Sequence, residues 1–170
     1  MNEKFTVGII VSNRFGVLNR VAALYAKRGY NIDSLTVGET ENSEYSRMTI
    51  TSTGDDHMKS QVLTQLQKLH DVKMITLLES ENSVSMEQML VKIKVSGNGK
   101  AEISNLINDY GGKVMDFSSD FITAEITGSY EKIQRFIDTA RKIGILELCR
   151  SGLISMVIGT EKTLSIENIE

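Results

Sequence analysis

The chain opens with an alternation of apolar positions with small or polar ones, which predicts a half-buried strand over residues 5–12. An amphipathic helix is predicted from Gly16 to about Arg28, because its apolar residues recur at a spacing of three and four positions. These residues are Leu18, Val21, Ala22 and Tyr25. Gly29 stands where a residue in the left-handed conformation would end the helix. The first thirty residues therefore predict a strand followed by a helix.

The next fifty residues continue the pattern with two strands, a helix and a strand. Alternation predicts strands over residues 32–39 and 45–53. Asp55 offers an N-cap for a helix over about residues 56–69, and a last strand follows over residues 72–78. The order βαββαβ is that of a ferredoxin-like domain.

The second half of the chain repeats this order. The predicted elements are a strand at 88–96, a helix from the turn Gly97-Asn98-Gly99 to Tyr110, strands at 114–117 and 121–126, a helix at 129–142 and a strand at 145–149. We therefore predict an α+β protein of two ferredoxin-like βαββαβ domains, at residues 1–79 and 87–158. A polar linker at 80–86 joins them, and a polar, mobile tail follows at 159–170.

Each domain of this kind covers only one face of its sheet with its two helices. In the first domain, the alternate positions on the other face carry Thr, Ser, Tyr and Met. An uncovered face and free sheet edges predict association with another chain. We therefore expect a dimer in which sheets continue or stack across two copies of this chain.

Charge and composition narrow the function. The 170 residues carry 19 basic and 22 acidic side chains, a net charge of −3, whereas nucleic-acid binding needs a basic patch. The single cysteine excludes an internal disulfide framework and fits a reducing compartment. No apolar run approaches the roughly 20 residues of a membrane span, and no signal-peptide pattern precedes the first strand. We expect a cytoplasmic protein with neither a nucleic-acid nor a membrane partner.

The loop between the first strand and the first helix is the candidate binding site. A helix N-terminus carries free N–H groups and partial positive charge, so it suits a carboxylate even without arginine or lysine. Gly16 leaves the backbone open to approach, and the amides of Asn13 and Asn31 can accept or donate hydrogen bonds. Asn31 is predicted to open the second strand, at the same end of the sheet as the loop or facing it across a dimer. These groups suit a zwitterionic amino acid.

A branched apolar side chain on such a ligand could rest on Val17, Leu18 or Ile32. The alternative is that Asn13 and Gly16 form only a turn and a helix start. The residues themselves leave both interpretations open.

The remaining polar residues predict structural roles. Asp55-Asp56-His57 is expected to cap a helix, because adjacent residues in a turn seldom converge on one metal ion. His70 would complement a helix dipole, and Cys149 is expected to be a buried structural thiol. Gly97-Asn98-Gly99 lacks the Lys-Ser/Thr of a phosphate-binding loop and is expected to be a turn. Arg47 could face a partner subunit or be an ordinary exposed arginine. No metal site and no catalytic set is predicted.

Several segments, taken in order, resemble one known family. The stretch Asn13-Arg14-Phe15-Gly16-Val17-Leu18-Asn19-Arg20-Val21 resembles the opening of an ACT domain. Residues 28–37 and 46–50 narrow the resemblance, and residues 87–93 and 147–152 agree with it in the second half. Together, these segments are similar to the small, regulatory subunit of acetolactate synthase over nearly the whole chain.

The resemblance implies that residues 1–79 form an ACT domain used for effector binding and dimerisation. Subunits of this family bind a large catalytic subunit, raise its activity and confer feedback inhibition by a branched-chain amino acid, usually valine. The large subunit carries thiamine diphosphate, magnesium and FAD, so neither a cofactor nor a catalytic residue is expected in this chain. The effector is expected between two ACT domains. The implied effector-binding residues are Asn13, Gly16 and Asn31, with Phe15, Val17, Leu18 and Ile32 beside them.

Three other functions compete with this one. A stand-alone amino-acid sensor would have the ACT domain but no catalytic partner. An RNA-recognition module shares the βαββαβ order but needs exposed aromatic residues on its central strands, which Tyr45 and residues 49–51 do not supply. A small enzyme would need a nucleophile, a base and an orienting group, and no recognisable set occurs.

Overall fold

The computed structural model describes residues 3–97, 99–159 and 163–169. The chain divides into two compact units. The first unit comprises Met1–Val84 together with Leu153–Glu170, and the second comprises Ser85–Gly152. No helix within the described ranges is long and apolar enough to cross a membrane.

The first unit has the predicted order βαββαβ. Its elements are β1 (Glu3–Ser12), α1 (Val17–Lys27), β2 (Ser34–Glu39), β3 (Tyr45–Gly54), α2 (Asp56–Gln67) and β4 (Val72–Leu77). The strands form one antiparallel sheet in the order β2-β3-β1-β4. The ferredoxin-like arrangement expected from the sequence is confirmed for this unit.

The core of the first unit lies between the sheet and its two helices. Val7 pairs with Ile50 and Ile9 pairs with Met48 across β1 and β3, and all four side chains are buried. The helices contribute Val17, Val21, Leu24, Tyr25, Val62 and Leu66 to the same cluster. Burying one side chain of this size contributes about 1.5–3 kcal/mol. A shift of one residue would turn these side chains outward, so the core fixes the register of the strands.

The opposite face of this sheet is also covered, which differs from the open face that we expected. Thr6 pairs with Thr51 on the side away from the helices, and both are buried. Ile10 and Thr49 alternate onto the same side and are buried as well. This face of the sheet is therefore not available as a free surface.

Residues of the C-terminal segment Leu153–Glu170 contact this second face. Arg47 Nη2 donates to Ser155 O at 2.7 Å. A Cβ atom at Gly8 would lie 2.9 Å from Leu164 Cδ1 and 3.0 Å from Leu78 Cδ1, so the glycine makes room for both leucines. The described part of the expected polar tail thus packs against β1.

The second unit repeats the βαββαβ order. Its elements are β5 (Ser83–Lys94), α3 (Lys100–Asp109), β6 (Lys113–Phe117), β7 (Phe121–Gly128), α4 (Tyr130–Ile143) and β8 (Ile145–Arg150). Its strands are antiparallel in the order β6-β7-β5-β8. After this unit, a short strand, β9 (Ile154–Val157), and a 3-10 turn at Ile166–Asn168 belong to the C-terminal segment that groups with the first unit. The prediction of two ferredoxin-like α+β domains is confirmed.

The second unit has its own core between its helices and its sheet. The buried ring of Phe136 meets the ring of Tyr110 edge-on, with centroids 5.2 Å apart. The buried carboxylate of Glu87 pairs with Arg150, whose guanidinium carbon lies 5.3 Å from the ring centroid of Tyr130. A buried charge needs such a partner to be tolerated.

The unit boundaries differ from the predicted ones. β5 begins at Ser83, inside the expected linker 80–86, because the alternation of buried and exposed residues already starts there. The second unit ends at Gly152 rather than at 158, since the residues after it group with the first unit. The predicted buried thiol is wrong, because Cys149 is exposed. It pairs with exposed Leu90, on the sheet face away from the helices.

Candidate functional site at the start of helix α1

The loop from Asn13 to Gly16 turns the chain from β1 into α1. Asn13 N donates to Glu44 O at 2.7 Å and Arg14 N donates to Ser12 O at 2.9 Å, so the loop is anchored at both backbone positions. Gly16 has a φ of 82°. An L-residue in this left-handed conformation is strained by about 1–2 kcal/mol, so the turn favours glycine.

Helix α1 begins without a side-chain cap. Gly16 has no side chain to accept from the first turn, and that turn contains no acidic residue. In contrast, the Asp55 carboxylate accepts from Met58 N at the start of α2, and Ser129 Oγ accepts from Lys132 N at the start of α4. Val17 N donates to Arg14 O at 3.3 Å. The next N–H groups of the first turn and the helix dipole make the start of α1 favourable for a carboxylate from elsewhere.

The side chain of Asn13 is oriented by two acceptors. Its Nδ2 donates to Glu39 Oε1 at 3.1 Å and to Ser43 O at 2.9 Å. Because both partners can only accept, the NH2 group must face them, and Asn13 Oδ1 is left without a partner among the described residues. This oxygen can accept a hydrogen bond from an ammonium group.

Asn31 is oriented in the same way but lies elsewhere. It falls in the loop between α1 and β2, three residues before the strand that we expected it to open. Its Nδ2 donates to Asp33 Oδ1 at 2.7 Å, and Asp33 Oδ2 accepts from Thr53 Oγ1 at 2.6 Å. The amide oxygen of Asn31 also has no partner within the part of the chain that the structure describes.

The two asparagines lie at opposite ends of α1. The helix has 11 residues, which is a length of roughly 16 Å. Asn13 is tied to the end of β2 and the turn before β3, whereas Asn31 is tied through Asp33 to the far end of β3. The expectation that one chain brings both amides to the same end of the sheet is therefore wrong. The other possibility, that they face each other across a dimer, remains.

The four apolar candidates divide into two groups. Val17 is buried in the core, so its side chain is not exposed at the loop. Ile32 is partly buried and packs against the same core. Phe15 is fully exposed at 103%, and Leu18 is also exposed. Phe15 and Leu18 therefore form the apolar surface at this loop.

Arg20 is a functional candidate that the sequence analysis missed. Its Nε and Nη2 both donate to Asp71 Oδ2 at 2.8 Å. A Cβ at Gly16 would lie 3.4 Å from Arg20 Nη1, so the guanidinium lies beside the glycine. The sequence feature that could have indicated Arg20 is its position four residues after Gly16, because this spacing places Gly16 and Arg20 on one face of the first turn.

The weaker candidates have structural roles or no convergent partners. Asp55 caps α2, as expected, and Asp56 pairs with Lys59 at 3.2 Å. Among the described residues, no group of three His, Cys, Asp or Glu side chains could hold a metal ion. Asn98, in the turn predicted for Gly97-Asn98-Gly99, lies outside the described residues. Arg47 is not the exposed strand arginine that was one of the two expectations, because it is half-buried and donates to Ser155 O. This burial lowers the pKa of its guanidinium.

Both halves of the chain match models of known protein families. Residues 7–74 match the model of an AHAS small subunit-like ACT domain, and residues 86–159 match that of the small subunit of acetolactate synthase. A probable acetolactate synthase small subunit of Archaeoglobus fulgidus is 42% identical over 94% of this chain and 99% of that protein. The acetolactate synthase small subunit of Mycolicibacterium smegmatis is 38% identical, with 91% of each chain covered.

A solved structure agrees with these sequence matches. The crystal structure of the acetolactate synthase small subunit from Thermotoga maritima covers 93% of this chain and 99% of its own, with a TM-score of 0.86 and 35% identity. The resemblance seen in the sequence is confirmed, and with it the expectation of a non-catalytic, regulatory subunit. The chain belongs to the family of acetolactate synthase small subunits.

Proposed function

We propose that this chain binds the large catalytic subunit of acetolactate synthase, raises its activity and makes it sensitive to feedback inhibition by valine. The observation that carries the effector part is the uncapped start of α1 beside the unpartnered amide oxygen of Asn13. The helix start suits a carboxylate, and the amide oxygen suits an ammonium group. An α-amino acid presents both groups a few ångströms apart.

The effector site is completed by a second copy of the chain. One chain holds Asn13 and Asn31 at opposite ends of α1, so one ligand the size of valine cannot contact both in the same copy. In a two-fold dimer with the α1 helices side by side, the start of one helix lies beside the end of the other. Asn13 of one copy and Asn31 of the other then face the same ligand.

The surface for this dimer is the β2 edge together with the exposed residues near it. β2 is an edge strand that pairs only with β3 in the described sheet. Val37 on β2 is an exposed apolar residue, as are Phe15 and Leu18 at the other side of the candidate site. An edge strand with apolar neighbours favours pairing with a second copy. Phe15 and Leu18 would then cover the branched side chain of valine.

Regulation follows from linkage between two arrangements of this dimer. Valine binds one arrangement more tightly than the other, and the difference biases the large subunit through the contact between the subunits. A coupling free energy of about 1–3 kcal/mol is enough for such an effect. The large subunit supplies thiamine diphosphate, magnesium and FAD, and this chain supplies the effector site.

The experiment is a titration of the cognate large subunit with this chain. The readouts are co-elution in size-exclusion chromatography and the rate of acetolactate formation from pyruvate. We expect a complex and a saturable rise in rate. The absence of both would favour the alternative, a stand-alone ACT-domain sensor without a catalytic partner.

A further inference from the structure

Arg20 is a cation held in one orientation at the start of α1. Its Nε and Nη2 donate to the same oxygen, Asp71 Oδ2, at 2.8 Å each. Asp71 is itself fixed, because its backbone oxygen accepts from Ser12 N at 2.9 Å. The guanidinium is planar and rigid, so this contact also sets the direction of the third nitrogen, Nη1.

The remaining nitrogen of Arg20 is available to a ligand. Nη1 has no partner among the described residues, and its two N–H groups are donors only. A Cβ at position 16 would lie 3.4 Å from it, so Nη1 borders the space that the missing side chain of Gly16 leaves open. The same space adjoins the uncapped first turn of α1.

We propose that Arg20 is a specificity residue for the carboxylate of the effector, and that Asp71 is the positioning residue that aligns it. This inference rests on the proposed function and names the group that the effector must carry. Arg20 Nη1 donates to the carboxylate from one side, while the first-turn N–H groups of α1 donate from the other. A charge-assisted contact of this kind is stronger than a neutral one, so it favours a free α-carboxylate over an amide.

Arg20 makes the site more selective than the start of helix α1 alone would be. The helix start alone would accept any small anion or a carbonyl oxygen. A guanidinium that is already oriented costs little entropy when it binds, and its charged N–H donors favour an acid over its amide. Asp71 cannot itself contact the ligand carboxylate, because like charges repel.

The test compares valine with valinamide, which has the same side chain and ammonium group but no negative charge. Binding of each to the full-length chain is measured by calorimetry for the unaltered protein, Arg20→Gln, Arg20→Lys and Asp71→Asn. Arg141→Gln is the matched control, because Arg141 forms a comparable exposed pair with Asp138 in the second unit, at 3.3 Å.

We expect Arg20→Gln to weaken valine binding about 10-fold and to leave valinamide binding nearly unchanged, so that the preference for the acid narrows. Arg20→Lys should retain part of the preference, because it keeps the charge but loses the planar fork. Asp71→Asn keeps an amide oxygen to which Arg20 can donate but removes the negative charge beside the guanidinium, so it should bind valine at least as tightly as the unaltered protein. The control should match the unaltered protein.

Two results would overturn the inference, and they differ from failure of the proposed function. If Arg20→Gln weakens both ligands equally, the residue acts only on structure. If Arg20→Gln weakens the binding of neither ligand, the effector carboxylate does not contact Arg20. If the unaltered protein binds no branched-chain amino acid at all, alone or with the large subunit, then the proposed effector function fails and the inference fails with it.

Discussion

Asn13 and Asn31 lie at opposite ends of helix α1, and each has its amide NH2 group held by acceptors of its own chain. Both amide oxygens are therefore available, but not to the same small ligand in one chain. This geometry is the main reason to place the effector between two copies.

Coexpression of two variants tests whether the site is shared. Asn13→Ala and Asn31→Ala should each weaken valine binding strongly when made alone, since each removes one acceptor from every site. A mixed dimer contains one site with both changes and one with neither. Random mixing should therefore restore about a quarter of the wild-type sites. The measurement is the number of high-affinity valine sites by calorimetry.

The controls for this experiment are the two variants purified separately. A mixture that regains no high-affinity site would show that both asparagines act within one chain. A variant that keeps its high-affinity sites when purified alone would show that its asparagine does not act. Circular dichroism should show that both variants keep the fold.

Two substitutions at Gly16 separate backbone strain from charge. Gly16→Ala forces an L-residue to a φ of 82°, which should lower the free energy of unfolding by about 1–2 kcal/mol and weaken valine binding moderately. Gly16→Asp adds a carboxylate near Arg20, which would pair with the cation and take the place of the effector carboxylate. Valine binding should then be lost. Equal losses in the two variants would contradict a role for charge.

The C-terminal segment should stabilise the first unit through Leu164. Leu164→Ala removes apolar contact beside Gly8 and Leu78 and should lower the free energy of unfolding by about 1–2 kcal/mol. Urea denaturation is the measurement. Glu167→Ala, an exposed position in the same segment, is the matched control and should change stability by less than about 0.5 kcal/mol. A null effect of Leu164→Ala would contradict the packing of Leu164 beside Gly8 and Leu78.

Tyr25 should make stability fall at alkaline pH. Burial raises the pKa of Tyr25 from its ordinary value of 10.0 to about 12, because the charged form is poorly solvated in the core. The folded state therefore favours the neutral phenol. The contribution of neutral Tyr25 to the free energy of unfolding is complete below pH 10. It is lost as the pH rises to about 12, a change on the order of 2–3 kcal/mol.

The measurement is the free energy of unfolding against pH for the unaltered protein and for Tyr25→Phe. The variant should lack this decline between pH 10 and about 12. Tyr45→Phe serves as the control for loss of a tyrosine hydroxyl elsewhere. The same decline in Tyr25→Phe would show that another group is responsible.

The sequence predicted the architecture well because periodicity reports burial directly. Phe5, Val7, Ile9 and Val11 recur at every second position, and Ile133, Phe136, Ile137 and Ala140 follow a helical repeat, so each element was recognisable by itself. What periodicity does not report is which non-neighbouring segment covers a face. Leu164 packs beside Gly8, and nothing in the local pattern of either residue shows this.

The candidate site was predicted only in part for the same reason. Asn13 and Gly16 are neighbours in sequence, so their placement at the start of α1 followed from the local pattern. The position of Asn31 depended on where β2 begins, and Ser34 rather than Ile32 is its first residue. The Arg20–Asp71 pair joins residues 51 positions apart and could not be read from local pattern.

The central claim is tested most directly by acetolactate formation from pyruvate, catalysed by the cognate large subunit with and without this chain, across a titration of valine. The account predicts a higher rate with the chain present, followed by a saturable loss as valine is added, and no effect of valine on the large subunit alone. A rate that changes neither with the chain nor with valine would contradict the account.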